Sequence, residues 1–171
     1  MGHPSFKELE AAWLKDQSPR TGAVRLLVAR LGGGEHRTLE RAQLCPEQGL
    51  VGDRWVRGTR PSLGRQLTVM DARVAELVCA GQPLHLPGDN LLVDLDLSED
   101  LLPPGRELRA GAVRLRVTEK THLGCNVFAE RFGREALKWV NDRGHRSRRL
   151  RGINCQVITA GLVQVGDRLV F

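Results

Sequence analysis

Tyrosine is absent from the 171-residue chain, and aromatic residues make up only 4% of it. That leaves little on which nucleic-acid bases could stack. No apolar run approaches the ~20 residues needed to span a bilayer, because Arg25 and Arg30 interrupt the most apolar early segment. The N-terminus has no basic stretch followed by an apolar core, so no secretory signal is expected and a soluble cytoplasmic protein is the default. The four cysteines, Cys45, Cys79, Cys125 and Cys155, include no Cys-x-x-Cys pair. That spacing argues against a structural zinc site or a thioredoxin-like pair, and without export the thiols are expected to be reduced. Internal duplication and low-complexity sequence are also missing.

What is present fits one globular unit. The length suits a single domain with a substantial core, and 41% hydrophobic with 27% charged residues is ordinary for a soluble protein. Ser5 and Glu8 have capping-box spacing, with Phe6, Leu9 and Trp13 at helical intervals, so residues 1–19 read as a short amphipathic helical extension. Strand signals dominate residues 20–171: 23–31, a glycine turn at Gly32-Gly33-Gly34 and an extended stretch through Leu44, then 65–70, 90–93, 106–109, 112–118, 153–159 and 167–171. Helical spacing recurs from Asp71 to Ala80 and after Val127, where Phe128, Phe132, Ala136 and Val140 are four apart. The expected class is mainly β with a few helices, arranged as an antiparallel or mixed β-barrel. Cys79 and Cys155 read as core fillers, and Cys45, beside Pro46, is ambiguous.

The net charge is +6, mostly from arginine, which suits anionic ligands. The densest run, His145 to Arg151, reads either as a solvated basic loop or as a phosphate-binding surface using Arg146, Arg148, Arg149 and Arg151. The scarcity of aromatics argues against RNA.

Cys125 falls where the alternating strand 112–118 gives way to the helical pattern, with Asn126 as the expected N-cap. A thiol just outside a helix N-terminus, with Lys120 and His122 upstream, is in a setting that favours thiolate. The alternative is a buried cysteine acting as a small hydrophobe.

Four ordered segments lead to Cys125: Gly49-Leu50-Val51-Gly52-Asp53-Arg54, Arg65-Gln66-Leu67-Thr68-Val69-Met70-Asp71, Pro87-Gly88-Asp89-Asn90-Leu91, and Val117-Thr118-Glu119 running to Gly124-Cys125. Together with Glu130-Arg131-Phe132-Gly133, Leu150-Arg151-Gly152-Ile153-Asn154 and Gly161 to Asp167, they resemble the MOSC domain over residues 20–171. The resemblance implies a β-barrel with one reactive cysteine, matched by Cys125. It implies two uses for that thiol. In one, Cys125 is the sulfur ligand to molybdenum in a molybdopterin cofactor, in an oxidoreductase that reduces N-hydroxylated small substrates with an electron-transfer partner. In the other, Cys125 carries sulfur as a persulfide received from a pyridoxal-phosphate-dependent cysteine desulfurase. Both need an accessible thiolate.

Around it, Arg65 is a donor suited to the cofactor phosphate or a surface salt bridge, and Asn90 offers an amide suited to a heterocycle edge or a turn hydrogen bond. Thr68 could turn its hydroxyl to the pocket. Lys120, Thr121 and His122 line the approach to the cysteine, where they could bind an anion or, for His122, shuttle protons. Asp53 and Arg54 read as a structural turn with an ion pair. The chain departs from the family pattern at Trp55, where histidine is common, at Asp89, where glutamate is common, and at Gly124, where proline is frequent. The last change suggests a more flexible loop.

Overall fold

Ser5 opens the first helix as its spacing to Glu8 requires: its hydroxyl accepts from the Glu8 amide at 3.3 Å, and its own amide donates to the Glu8 carboxylate at 2.7 Å. This helix, α1 (Phe6–Lys15), precedes β1 (Val24–Gly32), β2 (Glu35–Leu39), β3 (Arg41–Cys45), β4 (Gly49–Leu50) and β5 (Leu67–Asp71). Then follow α2 (Ala72–Cys79), β6 (Leu91–Val93), β7 (Glu107–Ala110), β8 (Val113–Thr121), α3 (Asn126–Asn141), β9 (Ile153–Thr159), β10 (Gly161–Gln164) and β11 (Leu169–Val170). The structure is a computed structural model and describes residues 2–16, 18–59 and 61–171.

The mainly β class and its few helices are as expected, whereas a closed barrel is not formed. Eight strands make one sheet in the order β11-β7-β8-β9-β5-β6-β1-β2, and β10-β3-β4 make a second. Among the described residues the outer strands β11 and β2 do not pair and no sheet closes on itself, although an isolated antiparallel bridge joins Ala23, just before β1, to Arg168, just before β11. The extended stretch after the glycine turn divides at Glu40, β2 staying with β1 while β3 leaves to pair with β10. Among the described residues only β5 and β6 pair in parallel, joined by a crossover through α2.

Side chains alternate across the centre of this sheet. Val69 and Leu91 point into a core between the sheets, while Met70 and Leu92 point into a second core under the helices with Leu9, Phe128, Phe132 and Trp139. Burial on both faces is why these strands read as continuous apolar runs. Helix α1 belongs to the helical layer. Trp13 meets Trp139 edge-on at 6.4 Å, Phe6 stacks on His145 at 5.9 Å, and Trp139 Nε1 donates to Glu10 at 2.8 Å. Among the described residues no helix is long and apolar enough to cross a membrane.

Candidate functional site

Strand β8 ends at Thr121, and His122, Leu123 and Gly124 lead to Cys125. Cys125, not Asn126, is the N-cap of α3: its backbone is extended (φ −122°, ψ −177°) and its carbonyl accepts from the Ala129 amide at 3.1 Å. Asn126 is the first helical residue, because the chain is held extended one position earlier than the side-chain types suggest. Cys125 is exposed, Cys45 is half-buried, and Cys79 and Cys155 are buried. Burial pushes both buried thiols up to about 12.

The helical pattern after Val127 is interrupted. Gly133 is non-helical (φ 87°, ψ 159°), so α3 is two arms bent at that residue. A continuous helix of this length would hold its ends roughly 24 Å apart. Instead Asn141, the last residue of α3, reaches back to the residue before the cysteine. Its Oδ1 accepts from the Gly124 amide at 2.8 Å and its Nδ2 donates to the Gly124 carbonyl at 3.0 Å. A Cβ on Gly124 would lie 2.7 Å from Leu137 Cδ1. The loop expected to be flexible is therefore pinned at Gly124, and a proline there would lose the amide bond and collide with the second arm.

Under the loop lies a buried ionic group. Asp89 accepts from Arg151 Nη1 at 2.5 Å, and its other oxygen lies 3.0 Å from His122 Nε2. Arg151 also donates to the Pro87 carbonyl at 3.2 Å and lies over the Phe128 ring at 5.1 Å. Its Nε is buried without a partner among the described residues. Burial pushes the Asp89 carboxyl up, but Arg151 and His122 together bring it below its ordinary value. His122 is held below its ordinary value by burial and by Arg151, against the pull of Asp89. An ionised Asp89 can only accept, so the imidazole proton lies on Nε2 and Nδ1 keeps its lone pair.

Asn90 and Thr68 sit in a second buried group, with their polar atoms directed into the fold. Asn90 Nδ2 donates to Asp53 at 2.9 Å and to the Val28 carbonyl at 3.1 Å, while its Oδ1 accepts from the Thr68 amide at 3.1 Å. The Thr68 hydroxyl accepts from the Asn90 amide at 3.2 Å. Asp53 has an ion-pair partner as expected, but it is Arg30 rather than Arg54, bound through two nitrogens at 2.9 Å each. Burial pushes Asp53 up and Arg30 more than reverses it.

Beside the loop is a cleft of about 440 Å³ whose walls include Lys120, Thr121, His122, Leu123 and Asn141. The basic run supplies Arg146, Arg149 and Arg151 to it and Arg143 precedes the run, against Glu99, Glu119 and Asp142. It is not one solvated loop. His145 and Arg151 are buried, and Arg149 is half-buried and bound to the Leu102 carbonyl at 2.6 Å. The wall stops short of Cys125, and Asn126 borders a different groove of about 520 Å³ along α3. Arg65 is exposed on a 3-10 turn (Leu63–Arg65), and Gly64 beside it packs so closely on the Lys120 stem that a Cβ would lie 2.8 Å from Lys120 Cγ. Arg65 thus neighbours Lys120, which lines the cleft with Thr121 and His122, Cys125 follows three residues after His122, and Thr68 and Asn90 lie inside the fold. Sequence reasoning missed Asn141, the Asp89–His122 pairing and the Arg30–Asp53 pair. His122 and Asp53 are singled out by the sequence but without these partners, Asp89 appears there only as the acidic residue beside Asn90, and Asn141 and Arg30 carry no signal.

A sheet-centred β fold with a loop-borne, exposed cysteine above a buried ionic group defines the class. A family model of the MOSC domain matches residues 76–170, and the chain belongs to that family. The family is associated with molybdenum-cofactor binding or sulfur-related function. The segments at Gly49–Arg54 and Arg65–Asp71 lie outside the matched residues. Among solved structures the chain is similar to the YuaD protein from Bacillus subtilis, at 17% identity over 86% of this chain and 93% of that one, with a TM-score of 0.58. It is similar to YiiM from Escherichia coli at 18% identity over 87% and 70%, with a TM-score of 0.55. YiiM from Geobacillus stearothermophilus is 15% identical over 88% and 73%, with a TM-score of 0.56. At these identities the likeness is one of fold. No curated protein matches the sequence.

Proposed function

We propose that the chain binds a molybdenum cofactor through Cys125 and reduces N-hydroxylated small molecules with electrons from a partner. The observation that carries this reading is an exposed thiol on a pinned loop beside a cleft bordered by cations, three of which have no side-chain partner among the described residues. The donor set fits such a group. Among the described residues no three His, Cys, Asp or Glu side chains could hold a bare metal ion, so a lone thiolate suits a metal that arrives with ligands of its own. Lys120, Arg143 and Arg146 have no side-chain partner among the described residues, and they suit a dianionic phosphate. Arg65, beside the Lys120 stem, adds a further cation, and Thr121 adds a hydroxyl at the same wall.

When bound, the cofactor supplies the two-electron chemistry that removes oxygen from the substrate. The chain's own residues hold and orient it. Cys125 supplies the sulfur ligand. His122, proton-free at Nδ1 and lining the cleft, can accept a hydrogen bond from a substrate's N-hydroxyl group and so orient it. Asp89 and Arg151 keep His122 in that tautomer, while Asn90, Thr68 and Asp53 stiffen the strands beneath. The test is reduction of an N-hydroxylated amidine by cofactor-loaded protein supplied with a chemical reductant. Activity above that of Cys125→Ser supports the reading, and equal activity contradicts it.

One observation favours the second reading, a persulfide carrier: Cys125 is exposed and outside the cleft wall, within reach of another protein's active site. A Cys125 persulfide formed by a pyridoxal-phosphate-dependent cysteine desulfurase, in protein that takes up no molybdenum, would replace the first reading with this one.

A further inference from the structure

We infer that Asn141 is a positioning residue for Cys125, acting through Gly124; the inference rests on Cys125 being the ligand-binding thiol. Residues 124 and 141 are separated by all of α3, yet both polar atoms of the Asn141 side chain are spent on the two backbone polar groups of Gly124. That geometry is a local substitute for a β-ladder pair, made by a side chain. Three features make it specific. The bend at Gly133 brings the second arm of α3 back to the loop. Gly124 has no room for a Cβ against Leu137 at 2.7 Å and Val140 at 3.3 Å. The N-cap cysteine has no side-chain hydrogen bond of its own to the helix, so its position is set by the backbone before it.

The consequence is preorganisation. A thiol on a pinned backbone meets a rigid ligand without first ordering its loop, and that ordering otherwise weakens binding. A small flexible reagent makes no such demand. Releasing the clamp therefore weakens a geometry-dependent partner of the thiol and leaves simple alkylation undiminished. Asn141 also lines the cleft, so an occupant there touches the same side chain that holds the cysteine.

The test compares full-length wild type, Asn141→Ala, Asn141→Asp and Cys125→Ser, all made in a molybdopterin-competent host. Three quantities are read: molybdenum retained through gel filtration, hydrogen exchange of the Gly124 amide, and iodoacetamide alkylation of Cys125 by mass spectrometry. Asn141→Ala is expected to speed Gly124 exchange and to reduce retained molybdenum about fivefold or more, the order for ordering one residue's backbone on binding. Its alkylation is expected not to fall. Asn141→Asp, which keeps the acceptor for the Gly124 amide, is expected to lie between, and it replaces the alanine variant if that fails to fold. The inference is overturned alone if wild type retains molybdenum, Cys125→Ser does not, and Asn141→Ala retains as much as wild type. Unchanged Gly124 exchange, or alkylation reduced in step with metal, also overturns it. If wild type retains no more metal than Cys125→Ser, the reading of the site has failed and this inference falls with it.

Discussion

His122 is joined through Nε2 to Asp89 Oδ1 at 3.0 Å, and the Asp89 side chain is fully sealed from solvent. Buried charges of this kind rarely serve stability, since taking them out of water offsets much of their attraction. Breaking one partner is another matter. Asp89→Asn would leave Arg151 buried without its counter-charge and is expected to cost about 3–5 kcal/mol in urea unfolding. Replacing both Asp89 and Arg151 with apolar residues should cost less than the sum of the single changes.

The same pair makes stability depend on pH. His122 is held below its ordinary 6.5 by burial and Arg151, so its contribution is present above 6.5 and is lost as pH falls through the lower folded value. Asp89 is also held low, and its contribution is lost further into acid, below its ordinary 3.8. In His122→Gln, unfolding measured between pH 7 and 5 should show a shallower loss than wild type. An identical slope would contradict the neutral, half-buried imidazole.

Asp71 works in the opposite direction. Burial raises it to about 6 despite Arg20 at 2.8 Å. Its contribution is full below the ordinary 3.8 and is lost as pH rises through about 6. Asp71→Asn keeps a side-chain acceptor for the Arg73 amide at the start of α2. The variant should therefore gain stability relative to wild type as pH is raised from 4 to 8, read from denaturation midpoints.

Gly152 follows Arg151 with φ +106°, and a Cβ there would overlap the Val69 carbonyl. Both strain and collision act at the joint between the basic run and β9. Gly152→Ala is expected to destabilise by more than about 2 kcal/mol, measured by thermal unfolding.

Thiol reactivity should sort by burial. With Cys79 and Cys155 pushed up to about 12, iodoacetamide at pH 8 should label Cys125 in the native protein and reach those two only on unfolding. Native labelling of Cys155 at the rate of Cys125 would contradict the packing.

Much of the fold was legible because its signals are local. The Ser5–Glu8 box, the glycine turn after β1 and the alternation of β8 depend on neighbours in sequence. Barrel closure was not legible, because the course of β3 after Glu40 is decided by pairing with β10 far along the chain. At the site, Cys125 was readable from the junction of two periodicities and from family motifs. Its N-cap position was not, since Asn126 is the better capping side chain and only the extended backbone at Cys125 sets the boundary. Asn141 gave no signal: a polar residue at a helix end is ordinary, and only the bend at Gly133 makes it a neighbour of the loop. In sequence Arg151 belongs to an exposed-looking basic run, yet it is buried against Asp89, a partner 62 residues away.

The central claim is that Cys125 binds molybdenum cofactor. It is tested most directly by measuring molybdenum and pterin per chain in protein purified from a molybdopterin-competent host. Wild type is predicted to carry both in near-stoichiometric amount and Cys125→Ser to lose them while remaining folded. Equal content in the two proteins, or none in wild type, would contradict the account.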